Sequence, residues 1–118
     1  MINRVLNETL FRVLFLICIL SIEFLATTTI EIKVVENSWD KLNHFFAFFT
    51  LYILLSLAFR EWNILKKALL LLIFGMQIEV VQHFIEGRFF SLLDVFADSV
   101  GILLGVLFHT LVVKRLLK

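Results

Sequence analysis

The sequence contains no proline, a single cysteine and only four glycines. Without proline, nothing breaks its long apolar segments from within. Cys18 stands alone in an apolar run, so one chain can build neither a disulfide framework nor a cysteine-based zinc site. Charge is also sparse: Asp, Glu, Lys and Arg make up 18% of the residues, and the net charge is +1. There is no basic tail, and nucleic acid is not an expected partner. Repeats, low-complexity tracts and linkers are missing. The N-terminus does not read as a cleavable signal, because no small-residue cleavage site follows the first apolar run and Glu23 interrupts it.

What fills the chain instead is apolar residue, 61% of 118 positions, with a mean hydropathy of +1.00. A soluble domain of this size has too little interior for so much. The composition therefore predicts a single-domain, all-α membrane protein. Four apolar segments, about 10–29, 42–59, 67–85 and 92–113, have roughly the 17 to 25 residues that a helix needs to cross the hydrocarbon core. Short connections make neighbouring helices antiparallel, and the expected fold is a compact bundle of four transmembrane helices. Eight Lys and Arg residues (Arg4, Arg12, Arg60, Lys66, Lys67, Lys114, Arg115 and Lys118) fall on one side and three (Lys33, Lys41 and Arg88) on the other. The richer side should face the cytoplasm, placing both termini inside. Residues 1–9 then form a short cytoplasmic lead. The β-branched run within the Thr29–Asp40 connection lies along the outer surface. His109 lies near the cytoplasmic end of the fourth helix.

Polar groups in such a chain cost several kcal/mol each unless paired. The stretch from Glu79 to Asp98 concentrates them: Glu79, Gln82, His83, Glu86, Arg88, Asp94 and Asp98. On the third helix Gly75, Glu79, Gln82 and Glu86 fall on one stripe. On the fourth, Asp94, Asp98, Gly101 and Gly105 make the same stripe, and Gly101-x-x-x-Gly105 is a small-xxx-small pattern that lets helices approach closely. Both stripes should face the bundle interior. At about 1.5 Å per residue, Glu79 and Asp98 lie roughly 10 Å below the corner joining the two helices. His44 and Glu23 add polar groups at a similar level. The result is a polar pocket open to the outer side above an apolar floor.

Taken together, D-K-x-x-H at Asp40, Lys41 and His44, E-x-x-Q at Glu79 and Gln82, G-R-x-x-S-x-x-D at Gly87, Arg88, Ser91 and Asp94, and the later Gly101 resemble the VanZ-like family of small bacterial membrane proteins. The resemblance covers about residues 40–105. It implies a multi-pass protein of the bacterial inner membrane with a polar cluster facing the extracytoplasmic side. The family's name-giving member is associated with resistance to the glycopeptide teicoplanin. The chain departs from the family at Asp98, where asparagine is usual.

The candidate acid–base residues are Glu79, His44, Asp94 and Asp98. Glu79 serves as a general acid or base, or as a buried acid that ties helices together. Asp40, one turn from His44, could orient its imidazole. Asp94 either works in the site or completes a capping box with Ser91. Asp98 pairs with Arg88, Lys41 or Glu79. Arg88, Lys41, Gln82, Asp40 and Ser91 form the candidate ligand-binding set, with Arg88 and Lys41 meeting an anionic head group. Glu23, His83 and His109 have weaker cases. Ser91 lacks the context of a nucleophile. No cofactor is expected. Nor is a metal, since no helical ligand motif is present and Arg88 and Lys41 would repel a cation. The leading expectation is a site that binds or processes a membrane lipid or lipid-linked cell-wall precursor. The alternative is a non-enzymatic accessory protein whose polar cluster only holds the bundle together. A homo-oligomer is compatible with either.

Overall fold

The computed structural model describes residues 2–27, 40–84 and 92–116; of residues 2–5, 40, 41 and 114 it describes the backbone. Four long helices account for most of these: α1 (Ile2–Thr27), α2 (Asp40–Ala58), α3 (Ile64–His83) and α4 (Leu92–Phe108). A π-helical stretch, His109–Val113, and a short helical turn, Lys114–Leu116, continue α4. Each expected apolar segment is helical over its described residues, and α1 begins at Ile2, so the stretch expected as a lead belongs to that helix. Neither glycine nor proline stops the helix there, and Glu8 reaches both Arg12 and Arg60 at 3.9 Å. The Thr29–Asp40 connection, apart from the start of α2, lies outside the described residues.

The turn between α2 and α3 is built locally. The Phe59 amide continues the α2 ladder to the Leu55 carbonyl at 2.9 Å. Arg12 of α1 donates from Nε to the Ala58 carbonyl at 3.0 Å, satisfying an orphan acceptor at the negative end of α2. Phe59 and Trp62 stack at 4.4 Å. Asn63, in extended backbone, caps α3 by accepting the Lys66 amide on its side-chain oxygen at 2.7 Å. Such a cap contributes about 1 kcal/mol.

Helix α2 is the centre of the bundle. Its Phe48, Leu51, Tyr52 and Leu55 are fully buried with Leu71 and Ile78 of α3 and Ile102 of α4. The α2–α4 pair is the most extensive helix contact, and glycine makes it so. A Cβ on Gly101 would run into the Phe45 carbonyl oxygen, and one on Gly105 would lie 2.9 Å from Tyr52 Cβ. The two backbones therefore meet where a side chain has no room. The expected inward stripes hold: Gly75, Glu79 and Gln82 on α3, and Asp94, Asp98, Gly101 and Gly105 on α4, are all buried.

The outside is apolar. Leu65, Leu69, Ile73, Met76 and Val80 of α3 and Leu103, Leu107 and Leu111 beyond them are exposed. Two stretches, Leu6–Thr27 and Leu92–Val113, each 22 residues, are long and apolar enough to cross a membrane. Leu42–Ala58 is apolar but shorter, and α3 carries Lys66, Lys67 and Glu79.

Candidate functional site

The polar residues of α2, α3 and α4 meet at one end of the bundle, where α2 and α4 begin and α3 ends. His44 lies one turn into α2, Glu79 one turn before the end of α3, and Asp94 and Asp98 on the first two turns of α4. The close α2–α4 contact at Gly101 sets Asp98 opposite His44. A hydrogen bond of 2.8 Å joins His44 Nδ1 and Asp98 Oδ1. On the other side of the ring, Nε2 lies 3.6 Å from Asp94 Oδ2 and 4.0 Å from Glu79 Oε1. Glu79 and Asp98 are 0% exposed and Asp94 6%, whereas the His44 side chain keeps 13%. One imidazole thus stands among three buried carboxyl groups drawn from two other helices. The second oxygen of Asp98 is buried against Gly75, with no hydrogen-bond partner among the described residues.

The four candidate acid–base residues are therefore brought together. Among the described residues the hydrogen-bond partner of His44 is Asp98, on another helix. The side chain of Asp40, the expected orienting group, is not among those described, and neither is that of Lys41. The glycine contact turns the Asp98 face of α4 toward α2. Arg88, Ser91, Glu86 and Gly87 lie outside the described residues, as does the proposed Ser91–Asp94 capping box.

Gln82 is buried and donates from Nε2 to the Ala26 carbonyl at 2.8 Å, tying α3 to the end of α1. Glu23 is held apart from the His44 cluster, where its Oε1 accepts from Gln77 Nε2 at 2.8 Å. Beside the cluster lies a cavity of about 260 Å³ between α1, α2 and α3. His44, Asn43 and Gln82 give it a polar side, and Ala26, Ala47 and Phe48 are among its apolar walls.

A second polar contact sits lower in the bundle, where the sequence promised an apolar floor. Lys67 is buried, donates from Nζ to Ser56 Oγ at 2.8 Å and lies 4.8 Å from the centre of the Tyr52 ring. His109 meets the same ring edge-on at 6.3 Å. Lys67 had counted as a charge at the turn. Because α3 already begins at Ile64, this residue falls on the first helical turn and points inward. Its eleven-residue separation from Ser56 leaves no periodic signal in the sequence. Ser56 and Lys67 are both buried, so their pairing reads as a helix-to-helix tie and not as a nucleophile with its base.

This arrangement has a counterpart among known sequences. The sequence profile of the VanZ/LLP1 family matches residues 2–113. The chain belongs to that family. The match extends the motif resemblance, which began at Asp40, to α1 and to the end of the π-helical stretch. No curated protein and no solved structure matches the chain. As a VanZ-like protein it has membrane-compatible helices, and all four of its acid–base candidates lie within the matched region.

Proposed function

We propose that this VanZ-like chain crosses the bacterial inner membrane four times, with both termini in the cytoplasm and the His44 cluster toward the extracytoplasmic side. There it binds the head group of an anionic amphiphile. Support for four spans comes from the outward apolar face of α3, Leu65 through Val80. Such a face needs covering by lipid or protein. The bundle's long dimension of 48 Å is also close to the roughly 40–45 Å of a bilayer with its head groups. The side follows from the eight-to-three distribution of Lys and Arg.

The observation that carries the binding reading is a buried polar cluster adjoining an apolar cavity of about 260 Å³. A ligand with a polar end and a hydrocarbon end fits that pairing. In the sequence Lys41 follows Asp40 at the start of α2 and Arg88 falls between α3 and α4, and both carry positive charge. A phospholipid and a polyprenyl-phosphate cell-wall precursor share the required chemistry, a phosphate beside a long apolar chain. The association of the family's name-giving member with teicoplanin resistance favours the precursor.

Native mass spectrometry of protein extracted with its lipids tests this. The wild type retains one anionic lipid, whose mass tells phospholipid from polyprenyl phosphate. Arg88→Ala loses it through the head, and Ala47→Phe loses it by filling the cavity. A wild type that carries no lipid, or three proteins that carry the same set, contradicts the proposal. That result would favour the second reading, an accessory protein held together by its polar groups, for which the Gln82–Ala26 and Glu23–Gln77 bonds speak.

A further inference from the structure

We propose that His44 Nε2, Glu79 and Asp94 bind a divalent transition-metal ion, with Asp98 orienting the imidazole from behind. The candidate ligand atoms of these three residues all lie within 4.8 Å of one another. They come from three different helices, so no ligand spacing marks them in the sequence. The Nε2 distances of 3.6 and 4.0 Å to the two carboxylate oxygens are too long for hydrogen bonds. They are close to the spacing of ligands around a small cation. Metal–ligand bonds of about 2.1 Å in tetrahedral geometry put neighbouring ligand atoms about 3.4 Å apart.

The independent observation is the His44–Asp98 bond. With the Asp98 carboxylate as acceptor, a neutral imidazole donates from Nδ1 and keeps its lone pair on Nε2. That nitrogen, Asp94 Oδ2 and Glu79 Oε1 then stand around one small space. Metal-ligating histidines characteristically donate their other N–H to a carboxylate in this way. A nitrogen with two carboxylate oxygens suits zinc or manganese, and three protein ligands leave a coordination position open.

The ion's role, though not its presence, rests on the head-group reading above. A phosphate would not approach three acidic groups unaided. A divalent ion reverses the local sign and presents an open position to a phosphate oxygen. Arg88 and Lys41 would then complement the phosphate rather than the acids.

The test uses the full chain in detergent, freed of metal with EDTA and titrated calorimetrically with Zn²⁺ alone and with Mn²⁺ alone. At least one of them binds saturably at one ion per chain. His44→Ala, Glu79→Gln and Asp94→Asn each weaken that binding by about 100-fold or more. Asp98→Asn still binds, but about 10- to 100-fold more weakly, as removal of an orienting partner does. Co²⁺ substitution then gives the visible absorption of a nitrogen- and oxygen-ligated ion, lost in His44→Ala. Saturable binding of neither metal to the wild type overturns the proposal whatever the variants' folding. So does equal binding by wild type and the isosteric Glu79→Gln and Asp94→Asn. Lipid retention with and without EDTA separates the two proposals. Lipid kept after EDTA by a protein that binds no metal sinks the metal and leaves the head-group site. Metal bound with no lipid ever retained supports the metal and sinks the head-group site.

Discussion

Replacing His44 with alanine lowers the stability of the folded bundle by about 3–5 kcal/mol, the usual result of removing one partner from a buried polar pair. The ring is the only group among the described residues seen to bond the fully buried Asp98, through a 2.8 Å contact. It also stands between Asp98 on one side and Asp94 and Glu79 on the other. Its loss leaves acidic groups facing one another in a space that water reaches poorly, the most costly kind of vacancy in an apolar bundle. His44→Asn should recover part of the loss, because its side-chain amide can still donate toward Asp98. Thermal unfolding in detergent, followed by circular dichroism, ranks the three proteins wild type, His44→Asn, His44→Ala. Equal midpoints for wild type and His44→Ala would show that the ring contributes nothing to the cluster.

Gly101→Ala is the second large effect, and it acts through packing. The added methyl would run into the backbone carbonyl oxygen of Phe45 and lie 3.2 Å from its carbonyl carbon and from the Phe49 amide nitrogen. Backbone atoms cannot swing aside, so α2 and α4 must separate. Overpacking of this kind costs about 1–3 kcal/mol, and here the upper end is expected, since the α2–α4 contact is the largest in the bundle. The displacement also draws Asp98 away from His44, so ligand retention falls with stability. At Gly105 the new methyl meets the Tyr52 side chain at 2.9 Å, and a smaller loss follows. Unfolding midpoints should fall in the order wild type, Gly105→Ala, Gly101→Ala. A Gly101→Ala protein as stable as wild type would mean that the helices do not meet there.

Much of this architecture is legible in the chain because helical periodicity is a local property. Apolar runs located the helices, although α1 starts at Ile2, eight residues before its apolar run. The stripes Gly75–Glu79–Gln82 and Asp94–Asp98–Gly101–Gly105 identified the inward faces, since spacings of three and four residues fix which side chains share a side. The residues of the site were also visible, as polar groups that an apolar chain would not otherwise keep. Their pairing was not. Asp40 is the nearest acid to His44 along the sequence, but the imidazole bonds Asp98, 54 residues away. What decides this is the crossing of α2 and α4, a consequence of Gly101 that no single-helix pattern carries. The inward direction of Lys67 was not legible for a related reason. It depends on where α3 starts, and the start depends on the Asn63 cap.

The central claim is that His44 and Asp98, on different helices, act as one unit. A double-mutant cycle measures it most directly, with unfolding free energies in detergent for wild type, His44→Ala, Asp98→Ala and the double variant. The account predicts strong coupling, about 1–3 kcal/mol, the range of residues in direct contact. The double variant would then lose about 1–3 kcal/mol less than the sum of the two single losses. Losses that simply add would contradict it, because they would mean that the two side chains do not meet.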